Sequence, residues 1–280
     1  MRFPVCKAPK RRTRLMQVPL YCIPLLHCAG GLAAHAQTTA DSKLLFGSNE
    51  NGTAGLIAII YDLKQTQAMQ PSHVTQDTYQ PIINQFLKQG WDESVLNRFF
   101  RITRPLYSTQ IFIPRIDAGS APKAYGVEKF VKPSSWIIHY KGQVSPPEDG
   151  TYRLVAYADD ILAVAVNNKT VCIGLHPSMN FSGIWKSTEK PGAVAFNGNL
   201  TYGDWLELKK DQPIDLDILV GERPGGEFCA FLLYQKQGET YQNDPAGNPI
   251  LPVFQLSDVG IPGGKLAPLA TKGKPWKLFR

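Results

Sequence analysis

Residues 136–173, WIIHYKGQVSPPEDGTYRLVAYADDILAVAVNNKTVCI, constrain the fold more than any other stretch. Trp136, Ile138 and Tyr140 alternate with Ile137, His139 and Lys141, the period-two pattern of a strand with one bulky face. Pro146, Pro147, Glu148, Asp149 and Gly150 supply the restricted and positive φ values of a tight turn. Tyr152, Leu154 and Ala156 then oppose Arg153, Val155 and Tyr157. The pattern breaks at Asp159 and Asp160, resumes as an aliphatic strand over 161–166, and turns at Asn167 and Asn168. Asn tolerates the left-handed conformation of a two-residue hairpin loop, so 169–173 reads as the return strand. Three strands with marked turns predict a mainly β chain, with two adjacent carboxylates at a strand junction.

The flanking segments extend this pattern. Residues 55–65 are apolar on both alternating faces, as in a buried strand. Tyr79, Ile82, Ile83, Phe86 and Leu87 recur at helical spacing, with Asp77 or Thr78 as cap, Pro81 in the first turn and Gly90 as the stop. A second short helix is expected after Asp92, with Leu96, Phe99 and Phe100 as its apolar stripe. Residues 106–113 return to strand and end at Pro114; 115–135 read as an irregular connection. Residues 174–204 read as long loops, 205–208 and 214–220 as strands with outward acids at Asp215 and Asp217, and 227–235 as the closing strand. The expected architecture is an antiparallel β-sandwich with a short two-helix insertion after the first strand.

The net charge of +7 suggests a polyanion partner, but six Lys or Arg and no acid fall in residues 1–36, leaving +1 for the rest. That basic start precedes an apolar run and Ala34-His35-Ala36, so 1–36 is expected to be a signal peptide and the protein exported, to a periplasmic, cell-surface or extracellular location. Nucleic-acid binding is not expected, and no later stretch is long and apolar enough to span a membrane. Residues 37–53 read as a flexible lead-in and 237–280 as a Pro/Gly-rich, basic extension, solvated or loosely packed, whose Lys265, Lys272, Lys274, Lys277 and Arg280 suit an acidic surface. After the leader only Cys172 and Cys229 remain: a disulfide worth about 4 kcal/mol on the chain-entropy model, or two buried thiols.

Residues 54–236 resemble the protective-antigen (PA-fourteen) β-sandwich domain family. The matching elements are Gly55, Leu56 and Tyr61 on an opening strand, a Trp strand ending in Gly142, then Pro146, Gly150 and Tyr152. The Asp159-Asp160 pair follows, then an aliphatic strand into Asn167-Asn168-Lys169, and finally Gln212-Pro213-Ile214 and Gly225-Gly226 before 230–234. In sugar-binding members the Asp pair, joined by a cis peptide, holds calcium, which in turn holds sugar hydroxyls. The resemblance thus implies Asp159 and Asp160 as calcium ligands, consistent with calcium's preference for clustered carboxylate and carbonyl oxygens. Asn197 and Asn199 are candidate further ligands because they carry amide oxygens in a later loop. Trp185 is a candidate sugar-stacking aromatic, or a plug at the edge of the core. The other reading of the Asp pair is a turn cap that accepts backbone hydrogen bonds.

Catalysis is not expected. GxSxG, HExxH and phosphate-loop motifs are absent, and adjacent carboxylates do not span a glycosidic bond. The expected function is a non-catalytic module that binds carbohydrate or another envelope or matrix component, with a structural module docking on protein partners as the alternative.

Overall fold

A computed structural model describes residues 44–49, 55–223, 225–258 and 270–279. The expected signal peptide, its cleavage site and parts of the lead-in and tail lie outside the described residues. No helix among the described residues is long and apolar enough to cross a membrane.

In chain order the first strands are β1 (Leu56–Thr66), β2 (Phe99–Arg101), β3 (Leu106–Ser108) and β4 (Phe112–Asp117). Then come β5 (Trp136–Ser145), β6 (Gly150–Asp159), β7 (Ile161–Val166) and β8 (Lys169–Leu175). Short strands β9 (Val194–Ala195), β10 (Gly198–Asn199), β11 (Thr201–Tyr202) and β12 (Leu206–Leu208) precede the long β13 (Ile214–Glu222) and β14 (Glu227–Lys236). β15 (Leu251–Pro252), β16 (Ala270–Thr271) and β17 (Lys277–Phe279) follow. Helix α1 (Gln76–Lys88) follows β1, and a second helix, α2 (Ser120–Ala124), lies in the connection before β5.

The strands form an antiparallel sandwich. One sheet runs β2-β1-β5-β13-β7-β8, with β3 on β1 and β17 on β5; the other runs β11-β6-β14-β4, with β12 on β6. Trp136, Ile138, Tyr140, Leu154, Ile218, Val220, Phe228 and Leu232 fill the space between the sheets. Period-two alternation puts Ile137, Ile161, Ala163 and Leu219 on the opposite face of the first sheet, where α1 covers them with Tyr79, Ile83 and Phe86. A third apolar cluster, including Phe112, Val155, Tyr157 and Leu233, lies on the outer face of the second sheet under residues 193–200 and 251–253.

The structure departs from the expected elements at several points. The cap of α1 is Thr75, whose hydroxyl accepts from Thr78 N–H while Thr78 Oγ1 accepts from Thr75 N–H, so the helix starts one residue before Asp77. The second expected helix is only a 3-10 turn, Glu93–Val95, capped by Asp92; Phe99 belongs instead to β2. The single strand expected over 106–113 is two strands in different sheets, because the chain crosses between them at residues 109–111. Pro114 lies within β4, which its edge position permits.

The lead-in and tail are also less loose than expected. Leu45 and Phe46 are buried, and the Phe46 ring packs on Trp136 and Phe228. In the tail, Trp276 is 2% exposed and meets Tyr152, Tyr234 and Phe254 at centroid distances of 5.3 to 5.8 Å. β17 pairs with the end of β5, continuing the row that β1 leaves at Lys141. Isolated apolar residues in aperiodic segments gave no pattern, but Phe46 packs at the end of the sandwich marked by Trp136 and Phe228, and Trp276 at the opposite end, marked by Tyr152 and Tyr234. Cys172 and Cys229 are buried and free, the two-thiol alternative.

Candidate functional site

The strands around Asp159 and Asp160 explain why the pair sits at a corner. β6 ends at Asp159 in the second sheet and β7 starts at Ile161 in the first, so the pair carries the chain from one sheet to the other. The peptide bond between them is cis. Asp160 N–H donates to Gly221 O (3.1 Å), His176 N–H donates to Asp160 O (2.8 Å), and Arg223 N–H donates to Asp160 Oδ2 (2.6 Å). Asp160 is thereby tied to the strand ends on both sides of β7, its other carboxylate oxygen outside these bonds. Cap-like bonding at this residue thus leaves one carboxylate oxygen uncommitted to it.

Both carboxylates line an open cleft of about 360 Å³ together with His176, Ser178, Phe196, Asn197, Glu222, Arg223, Gly225 and Glu227. One ligand atom from each of Asp159, Asp160 and His176 lies within 4.8 Å of the others. His176 Nδ1 is 2.8 Å from Ser178 Oγ, which also accepts from Arg223 Nη2 at 3.1 Å. Glu222 is 1% exposed; its Oε1 accepts from Gly225 N–H at 2.6 Å, and its Oε2 has no hydrogen-bond partner among the described residues.

Burial is the leading electrostatic influence on the three carboxylates. Burial raises the pKa of Asp160, with Asp159 adding to the shift against the Arg223 hydrogen bond and the charges of Arg223 and His176. Burial likewise raises Asp159, opposed by His176 and a hydrogen bond from Asn197. Burial and Asp160 push Glu222 up to about 8. An acid at about 8 is mostly protonated at neutral pH, so burial here favours the neutral carboxyl. A divalent ion of the kind expected from the sequence would favour the ionised forms instead.

The donors present fit such an ion. Asp159, Asp160 and Asn197 offer hard oxygens of the type calcium takes, and the orphaned Glu222 Oε2 is buried in the same cleft. Of the sequence candidates, the structure brings together Asp159, Asp160 and Asn197. Asn199 is outside the cleft lining, and its amide donates to Gly192 O at 3.0 Å. Trp185 is also outside it; the ring packs at the margin of the α1-side core and its Nε1 donates to Asp204 Oδ1 at 3.2 Å. These contacts fit the edge-plug alternative for Trp185.

Sequence reading missed His176 and Glu222, of which strand register could have found Glu222. Gly221 pairs with Ile161, which puts Glu222 opposite Asp160. Counting back along β7 and β8 from the Asn167-Asn168 turn, with one residue of slip, pairs Ile161 with Leu175 and puts His176 beside Asp160. The slip was invisible in the sequence.

These features define a two-sheet β-sandwich with an acidic, cation-competent cleft at a sheet-to-sheet corner. No protein-family model and no curated protein matches the chain. Solved structures similar to it include a PA14 sugar-binding domain from an RTX adhesin, at 15% identity and a TM-score of 0.38, covering 68% of this chain and 94% of that one. The PA14 domain of the antifreeze protein MpAFP is 13% identical with a TM-score of 0.39, covering 67% and 84%. The Epithelial Adhesin 6 A domain of Candida glabrata, in complex with Galb1-3GlcNAc, is 12% identical with a TM-score of 0.38, covering 72% and 95%. Overlaps this weak decide nothing about ligands; the case for a function rests on the cleft.

Proposed function

We propose that the protein is an exported, non-catalytic binding module that holds carbohydrate hydroxyls through a divalent cation at the Asp159-Asp160 corner. The observation that carries this reading is the convergence of both carboxylates with Asn197 in one open cleft. Asp159, Asp160 and Asn197 would hold the ion, and calcium is the ion that their oxygens suit. A bound cation supplies a positive centre with exchangeable positions that vicinal hydroxyls can occupy. The order of elements shared with the protective-antigen family, from Gly55 through the Asp pair to Gly225-Gly226, supports the same reading.

Calorimetry with calcium chloride on the wild type, Asp159→Asn and Asp160→Asn tests the cation half of the proposal. Saturable binding in the wild type and loss of about tenfold or more in each variant is the expected result, since each substitution removes a charged ligand. Equal heats in all three proteins would remove the Asp pair from the site.

A further inference from the structure

A second cleft, of about 560 Å³, opens on the α1 side of the first sheet; among the described residues it shares no lining with the Asp159-Asp160 corner. Residues 66–74, which lead from β1 toward α1, form one wall, and α1 with Phe99 of β2 forms the other. The first wall is tied down by its own hydrogen bonds. Thr66 N–H donates to Gln70 O and Ser72 N–H to Lys64 O, each at 2.8 Å, and Gln67 Nε2 donates to Phe99 O at 2.6 Å. A concave site of this size, formed in advance, is the usual setting for a small molecule.

The lining has an apolar part, Val74, Pro81, Ile82 and Phe99, and a polar part that includes Thr66, His73 and Arg98. The exposed Arg98 guanidinium lies 4.7 Å from the centre of the Phe99 ring, which sets its charge at the apolar surface itself. It has no ion-pair or hydrogen-bond partner among the described residues, and neither has the His73 imidazole. No Asp or Glu is among the described residues of the lining, and Asp77, next to Thr78 on α1, is outside it. Thr66 Oγ1 accepts from Gln70 N–H at 3.3 Å and keeps its own proton to donate.

We infer that this cleft binds a small monocarboxylate with an apolar or aromatic body, its carboxylate on Arg98 and its body against Val74, Ile82 and Phe99. A guanidinium meets both oxygens of a carboxylate through parallel N–H donors, and the Thr66 hydroxyl adds a neutral donor. One fixed positive charge matches one negative charge; a phosphate monoester, with close to two, is left undercompensated. The corner cation plays no part, so failure of this inference leaves the proposed function untouched.

The test titrates the full chain with sodium 2-naphthoate and, separately, with uncharged 2-naphthamide, followed through amide chemical shifts. Naphthoate should shift residues 66–74, α1 from Thr78 to Gln85, and Arg98 and Phe99, saturably, and should bind about fivefold or more tightly than the amide. That comparison needs no variant. Arg98→Gln should weaken naphthoate by about fivefold, as befits an ion pair at an exposed rim, and leave naphthamide within about twofold. Equal binding of acid and amide, or naphthoate affinity unchanged in Arg98→Gln, would overturn the inference by showing an apolar groove without an anion site. Shifts centred on other residues, or no saturable shifts with either compound, would overturn it as well.

Discussion

His139 is enclosed at the junction of β5, β13 and the segment carrying Glu93. It is 2% exposed, its Nε2 lies 2.7 Å from Asp217 Oδ1, its Nδ1 lies 3.2 Å from Glu93 Oε1, and the rings of Phe86 and Trp91 flank it. Burial disfavours its charge, but Asp217 and Glu93 together outweigh burial and raise its pKa above 6.5. Hydrogen bonding from His139, with Lys141 adding to it, holds Glu93 down at about 2. The sign follows for each group. His139 contributes stability that is complete below about 6.5 and lost as pH rises through its higher folded value; Glu93 contributes above about 4.5 and loses it as pH falls toward 2. Glu222, raised to about 8, adds its own decline with pH above about 4.5 to every variant, so the His139 pair shows in the difference between wild type and His139→Gln. That difference, from melting measured between pH 3 and 9, should be largest, about 2 to 3 kcal/mol, between about 4.5 and 6.5, and the variant's alkaline limb should be flatter; the cost stays below that of a fully buried pair because Glu93 is partly exposed. An unchanged alkaline limb in the variant would contradict the assignment. The sequence placed His139 on an alternating strand but did not show its partners, which come from distant segments whose packing no local pattern encodes.

The cysteines make a second prediction at this scale. Cys172 sits in the core between the sheets and Cys229 in the cluster on the outer face of the second sheet. Burial pushes both thiols up, Cys229 to about 12, so neither offers a thiolate near neutrality. Alkylation mapped by mass spectrometry should leave both residues unmodified in the native protein and modify both in denaturant. Rapid native labelling of either one would contradict their burial.

Elements carry the site through their ends. The last residues of β13 are packed against α1: a Cβ on Gly221 would come within 2.2 Å of Tyr79 Oη, and that hydroxyl donates to Trp136 O at 3.2 Å. Gly221 O also accepts from Asp160 N–H, so crowding there moves the corner itself. Gly221→Ala should destabilise by about 1 to 3 kcal/mol through overpacking and weaken cation binding as well. Calorimetry that found unaltered metal affinity in a destabilised Gly221→Ala would separate β13 from the site. Alternation and turn chemistry made the strands from β5 to β8, β13 and β14 legible, and Asn167 and Asn168 do adopt the positive φ that the hairpin needed. The break at 109–111 was not legible, since residues on either side keep one alternating pattern while pairing with different sheets.

The tail belongs to the same scale. Trp276 closes the end of the sandwich against Tyr152, Tyr234 and Phe254, and Trp276→Ala should cost about 3 to 5 kcal/mol. Urea unfolding of that variant is the measurement; a midpoint equal to the wild type would mean that the tail is dispensable to the sandwich.

For the whole molecule, the fold and the site have one origin. A strand that changes sheets must turn a corner, and this chain places there two carboxylates facing a His, an Asn and a buried Glu contributed by three other segments. The pair was visible in the sequence as a break in alternation. Its company was not, because it is assembled by pairing between strands far apart in the chain. The central claim is that a cation at this corner mediates binding of a hydroxyl-rich ligand. The most direct measurement is retention on a panel of immobilised glycans, with and without a chelator, for the wild type and Asp160→Asn. Retention on at least one glycan that is abolished by the chelator, restored by added divalent metal and absent in Asp160→Asn is the predicted result; retention indifferent to both chelator and substitution, or none on any glycan with metal present, would contradict it.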